Sequence, residues 1–282
     1  MKKFQLNLYK LSLVLFISLA GCSGVLKTST TESSKQRKPG APVELKVMTY
    51  NVHHCNPPSK AQAGTIDLAA VTKVIASASP DIVFLQEIDV HTSRSGKDIN
   101  QAEAIAKQLG MNYYFGKALD FGGGEYGIAI LSRFQLTDPK VYLLPKKESI
   151  QSEQRALLTA TATLENRLKL RIACTHMDYV SPENRILQYN KISEVLKNET
   201  LPVVLGGDFN DTLNSKEMSD FTKTFKSLCR PCLPTDPSDL PEKTIDYILT
   251  DRNHSWKVLS YFVGEDSYAS DHRPVFSTIS LR

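Results

Sequence analysis

Past residue 21 the 282-residue sequence holds no long hydrophobic run, so its body has no candidate transmembrane helix. It also lacks internal repeats and long low-complexity tracts, which removes repeat architectures. Cysteine is scarce, five in all. Setting Cys22 aside leaves Cys55, Cys174, Cys229 and Cys232. The pair in Cys229-Arg230-Pro231-Cys232 is too few for a structural zinc. No thioredoxin-like βαβ pattern surrounds it, so a local disulfide is the plainer reading for an exported chain. Cys55 and Cys174 read as small buried fillers.

A basic excess is missing as well. The formal charge is +4, but residues 1–21 hold Lys2, Lys3 and Lys10 and no acid, so removing these three lysines leaves +1. Residues 22–38 add Lys27, Lys35, Arg37 and Lys38 against Glu32, a net +3, so the part from Pro39 onward stands at −2. A polynucleotide binder normally carries a basic footprint. This domain has none in bulk, so nucleic acid is not the favoured partner.

What is present begins with Met1-Lys2-Lys3 and an apolar stretch ending Leu19-Ala20-Gly21-Cys22. A basic start, a short apolar core and small residues before a cut site form an export signal. Residues 1–21 are therefore expected to be a signal peptide. Residues 22–42, rich in Ser, Thr, Lys, Gly and Pro, read as a solvated tether. Residues 43–282 form the domain; 41% of the whole chain is hydrophobic and 23% charged, an ordinary globular balance.

The chain is organised around Leu201-Pro202-Val203-Val204-Leu205-Gly206-Gly207-Asp208-Phe209-Asn210, a buried strand running into two glycines and two polar groups. The glycines are expected to turn the backbone where a ligand approaches. Alternation gives a strand at 43–52, and helical spacing gives a helix at 66–77 with Thr65 as its cap. A strand at 81–87 ends in Glu87, and a helix spans 98–109. Strands follow at 113–117 and 126–132, the latter expected to pair with 136–144. Strands at 155–164 and 168–175 deliver His176. A helix capped by Ser181 shows Ile186, Tyr189, Ile192 and Val195 as its apolar face. Residues 215–225 read as helical, and 244–249, 256–263 and 274–279 as strands. The mixture predicts an α/β domain of two mixed sheets packed face to face, with helices outside.

The strand ends collect Asn51, Glu87, His176, Asp208, Asn210, Asp246, Asp271 and His272. Hard oxygens of this kind suit Mg²⁺ or Mn²⁺ rather than structural zinc. Thr49-Tyr50-Asn51, Gln86-Glu87, Tyr126-Gly127-Ile128-Ala129-Ile130-Leu131-Ser132-Arg133, Thr175-His176, Gly206-Gly207-Asp208-Phe209-Asn210, Ile245-Asp246-Tyr247-Ile248 and Ser270-Asp271-His272 stand in register. In this the sequence resembles the endonuclease/exonuclease/phosphatase superfamily, DNase I-like proteins that include nucleases, phosphatases and sphingomyelinases. The resemblance implies a four-layer α/β/β/α sandwich. It implies Glu87, Asn51 and Asp271 at a metal, Asp208 acting on the attacking water, and Asn210 fixing the nucleophile. It also implies His272, held by Asp246, and His176 on phosphoryl oxygens. Ile128 departs from the Asn that many members carry there. Leu19-Ala20-Gly21-Cys22 resembles the bacterial lipobox, which implies an acylated Cys22 anchored on a membrane surface.

Three single residues stay open between two readings. Arg94 is a phosphate contact or a solvated loop residue, Arg155 a substrate contact or an ion pair, and Tyr126 a phosphate donor or core packing. His53, His54, His91 and His254 read as loop histidines, and Asp178 as a cap for the loop after His176. The expected protein is an exported monomeric phosphoesterase acting on a small phosphoester or lipid head group. A nuclease is the alternative, and a non-catalytic surface lipoprotein on the same fold a second.

Overall fold

The computed structural model describes residues 43–281; the signal segment, Cys22 and the tether to residue 42 lie outside the described residues. Its strands are β1 (Val43–Asn51), β2 (Ile82–Val90), β3 (Asn112–Phe121), β4 (Gly124–Ser132), β5 (Gln135–Leu143) and β6 (Ala156–Thr163). They continue as β7 (Lys169–His176), β8 (Val203–Asp208), β9 (Phe225–Ser227), β10 (Asp246–Asp251), β11 (Trp256–Val263) and β12 (Val275–Leu281). The α-helices are α1 (Leu68–Ala78), α2 (Gln101–Leu109), α3 (Pro182–Leu196) and the short α4 (Phe221–Thr224). Among the described residues no helix is long and apolar enough to cross a membrane.

Two six-stranded sheets form, ordered β11-β12-β1-β2-β4-β3 and β5-β6-β7-β8-β10-β9. Each is mixed: β1–β2 and β7–β8 are parallel, and β1–β12 and β8–β10 antiparallel. Leu45, Val47, Phe84 and Ile130 of the first sheet meet Leu158, Ile172, Val204 and Ile248 of the second. Val71, Ile75 and Ile105 close helices α1 and α2 over the outer face of the first sheet. Tyr189, Ile192 and Phe221 do the same for α3 and α4 over the second. This is the four-layer sandwich the sequence implies. Truncating a buried Phe such as Phe84 would cost about 3–5 kcal/mol.

Several local expectations change. Asp67, not Thr65, caps α1, its side chain accepting from the Ala70 N–H. Strand β5 pairs with β6 of the second sheet rather than with β4, so the chain crosses between sheets at residues 133–134. Gly206 and Gly207 do not make a turn. Both lie inside β8, in register with Ile248 and Tyr247, and a Cβ at Gly206 would strike the Phe84 ring of the facing sheet. Gly206 is there for close approach of the two sheets, while a Cβ at Gly207 would strike Thr175 on the neighbouring strand β7. Helix α3 buries Asn184, Gln188, Tyr189, Ile192 and Leu196, while Ile186 is exposed and Val195 half-buried. Of residues 215–225 only α4 is α-helical; bends and turns precede it and Phe225 already opens β9. Cys229 and Cys232 form a disulfide, and Cys55 and Cys174 are buried free thiols.

Candidate active site

Strand β2 runs three residues beyond its expected end, and Glu87 sits within it at a β-bulge. Its φ is 59°, and the register with β4 slips between Gln86 and Ile88. A bulge re-aims a side chain. Here it keeps Glu87 in the cleft while Gln86 hydrogen-bonds Thr49 and Cys174 inside. The parallel pair β7–β8 sets His176 opposite Asp208, and the antiparallel pair β8–β10 sets Asp208 opposite Asp246. Sheet register alone therefore brings three functional side chains from three strands together.

The contacts are close. His272 Nδ1 lies 2.9 Å from Asp246 Oδ2, and His272 Nε2 faces Asp208 Oδ2 at 3.7 Å. His176 Nε2 is 3.5 Å from the same Asp208 oxygen. Asn51 Nδ2 donates to Asp208 Oδ2 at 3.0 Å and to Glu87 Oε1 at 3.1 Å. The Asn210 N–H, at a φ of 48°, donates to Asp208 Oδ1, and its Nδ2 donates to the Met177 carbonyl. Glu87, Arg94, Tyr126, Arg155, His176, Asp208, Asn210, Asp271 and His272 line one cleft of about 340 Å³. Asn51 and Asp246 sit beneath it, fully buried.

Burial, and then the charge of Asp246, push Asp208 up to about 7. Burial opposes the charged form of His272, but Asp246 and Asp208 overcome it and hold the ring well above the ordinary imidazole value. Burial and Arg155 drive His176 the other way, well below that value. Glu87 is raised by burial yet ends well below the carboxylate range through His54, His176, Asn51 and His272. The His54 Nδ1 stands 4.0 Å from Glu87 Oε2, too far for a hydrogen bond.

For a hard divalent cation the donor set fits. Glu87 Oε2 and Asp271 Oδ2 accept no hydrogen bond among the described residues, and both residues line the cleft. Asn51 differs from expectation: its Oδ1 accepts the His53 N–H, so it turns its NH₂ rather than its oxygen toward the carboxylates. The tightest acid–His grouping among the described residues is instead Asp208, Asp246 and His272, with ligand atoms all within 4.8 Å. Glu87 and Asp271 differ from that grouping in keeping a carboxylate oxygen free on the cleft wall, whereas the carboxylate of Asp246 is committed to His272 Nδ1.

The three open residues sit as follows. Arg94 is tethered although a third of its side chain stays in solvent: its guanidinium makes two hydrogen bonds, of 2.7 and 2.9 Å, to the buried Asp89 and lies 4.2 Å over the Phe121 ring. Arg155 is 3% exposed, bridging Glu153 Oε2 at 3.2 Å and His176 Nδ1 at 3.2 Å. Tyr126 is buried against Arg155 and lines the cleft. Asp178 caps its loop through the Val180 and Ser181 N–H groups. Ile128 belongs to the core between the sheets. Sequence reasoning missed His53, which lines the cleft 3.9 Å from Asp271. It also missed His54 beside Glu87, Asp89, and the cleft walls Phe121 and Tyr179. The only sequence signal for the two histidines was their adjacency to Asn51.

The family model described as "Endonuclease/Exonuclease/phosphatase family" matches residues 48–272. Among solved structures, an endonuclease/exonuclease/phosphatase from Beutenbergia cavernae is 22% identical, covering 84% of this chain and 72% of that one with a TM-score of 0.69. A Bacteroides thetaiotaomicron family protein is 18% identical over 86% and 99% of the two chains, TM-score 0.70. A mannosyl-6-phosphatase from the same organism is 18% identical over 83% and 99%, TM-score 0.66. Among curated proteins nothing matches.

Proposed function

The chain belongs to the endonuclease/exonuclease/phosphatase family, and on that premise we propose that it hydrolyses a P–O bond of a small phosphoester or lipid head group with a divalent cation, Mg²⁺ or Mn²⁺. The observation that carries this reading is the convergence of Glu87, His176, Asp208, Asn210, Asp271 and His272 on one cleft, with Asn51 and Asp246 directly behind. We further propose that the protein is exported, anchored through an acylated Cys22, and acts as a monomer.

A cation held by Glu87 and Asp271 would neutralise charge on the phosphoryl oxygens and on the leaving oxygen. Asp208, pushed up to about 7, is placed to orient the attacking water and take its proton near neutral pH. Asn210, pinned by Asp208 and Met177, positions that water. His272 is kept protonated by Asp246 and donates Nε2–H to an equatorial oxygen. His176 supplies a second donor from the other wall. Asn51 fixes the relative placement of Glu87 and Asp208 by bonding both.

A cleft of about 340 Å³ is at the small end of ligand sites, and with the near-neutral domain charge it favours a small substrate over duplex DNA. The test is a phosphoester panel spanning nucleotides, sugar phosphates, inositol phosphates, sphingomyelin and DNA with Mg²⁺. Turnover of a small ester supports the proposal. Plasmid nicking at low salt without small-ester turnover favours the nuclease reading.

A further inference from the structure

Arg155 lies just before β6, buried to 3% exposure, and its Nη1 is 3.2 Å from His176 Nδ1. A guanidinium has five N–H donors and no acceptor. The contact is a hydrogen bond only if His176 Nδ1 presents its lone pair. The ring proton then sits on Nε2, which faces Asp208 Oδ2 at 3.5 Å at the cleft. The same contact excludes an imidazolium, since both ring nitrogens would then be donors. His272 shows the opposite arrangement: its Nδ1 meets a carboxylate, which can only accept. His176 and His272 are thus held in different protonation states by partners of opposite charge.

We propose that Arg155 is a positioning residue that locks His176 as the neutral Nε2–H tautomer, making it a hydrogen-bond donor to a phosphoryl oxygen and never a proton donor to the leaving group. This rests on the phosphoesterase reading for its chemistry, but not for its structural content. Arg155 is itself held in place. Glu153 Oε2 forms an ion pair with Nη2 at 3.2 Å, and Tyr126 lies beside the guanidinium, whose buried Nε has no partner among the described residues. The other charged groups facing His176 are Glu87 on β2, Asp208 on β8 and His272 before β12. The assignment leaves Asp246-paired His272 and Arg155-paired His176 as donors of different kind on the two walls.

The test is ¹⁵N-histidine NMR of the intact metal-free protein, with the His176→Asn spectrum identifying the resonances. The expected result is a protonated Nε2 and bare Nδ1 for His176, unchanged from pH 5 to 8. In Arg155→Met the ring is expected to titrate or to mix tautomers, and kcat to fall about 100-fold with little change in KM. A wild-type imidazolium, a proton on Nδ1, or an unchanged His176 spectrum in Arg155→Met overturns the proposal; the first two need no variant to fold. Because the spectra need no turnover, absence of phosphoester hydrolysis would sink the phosphoesterase reading alone, and a wrong tautomer in an active enzyme would sink this one alone.

Discussion

Asp246 gives one carboxylate oxygen to His272, Oδ2 to Nδ1 at 2.9 Å, while its other oxygen is buried with no hydrogen-bond partner among the described residues. The carboxylate is committed to the imidazole alone, and its charge, with that of Asp208, is what raises His272. Because the folded-state value lies above the unfolded 6.5, the stabilisation is complete below about pH 6.5 and fades as pH rises through the raised value. Asp246→Asn keeps the acceptor and removes the charge. It is expected to move the alkaline limb of the pH–rate profile toward neutrality and to lower kcat about 100-fold, measured as kcat against pH.

Asp208 is raised by burial and by Asp246, so its sign is unfavourable for the fold. The folded protein binds the proton more tightly than the unfolded chain, so stability falls as pH rises from about 4 through 7. In the metal-free protein Asp208→Asn is expected to raise the thermal midpoint at pH 8, by on the order of 1–3 kcal/mol in stability, while abolishing turnover. Thermal unfolding at pH 5 and pH 8 checks this: the gain should shrink at the lower pH.

Asp89, fully buried, accepts from Thr92, Ser95 and twice from Arg94. Removing it leaves a part-buried guanidinium and two buried hydroxyls without their acceptor. Asp89→Ala should cost about 2–4 kcal/mol in denaturant unfolding and loosen Arg94 from the Phe121 wall.

Cys22→Ser is expected to shift the protein from the membrane fraction to the soluble exported fraction of a bacterium expressing it, with specific activity unchanged. Fractionation and acyl-chain labelling measure it; an unmodified Cys22 in the wild type would contradict the anchor.

Much of this was legible in sequence, for physical reasons that also mark where legibility ends. Buried runs such as residues 203–205 and 82–85 announce strands because both faces are covered. Asp208, Asp246 and His176 were readable as strand-end groups. The partner of β5 was not, since alternation fixes which face is buried and not which sheet a strand joins. Gly206 looked like a turn because the ring of Phe84 that excludes a side chain comes from the other sheet. Arg155, near Glu153 in sequence, looked like an ordinary ion pair; its contact with His176 needs the β6–β7 register. His53 and His54 reach the acids through three successive residues at φ of 45°, 42° and 59°, a backbone path no side-chain pattern encodes.

The most direct measurement is Mg²⁺-stimulated hydrolysis of bis-p-nitrophenyl phosphate by the wild-type protein and by Asp208→Ala, side by side. The account predicts metal-dependent release of p-nitrophenol by the wild type and a rate at least about 1000-fold lower in the variant. Equal rates for the two proteins, with or without Mg²⁺, would contradict it.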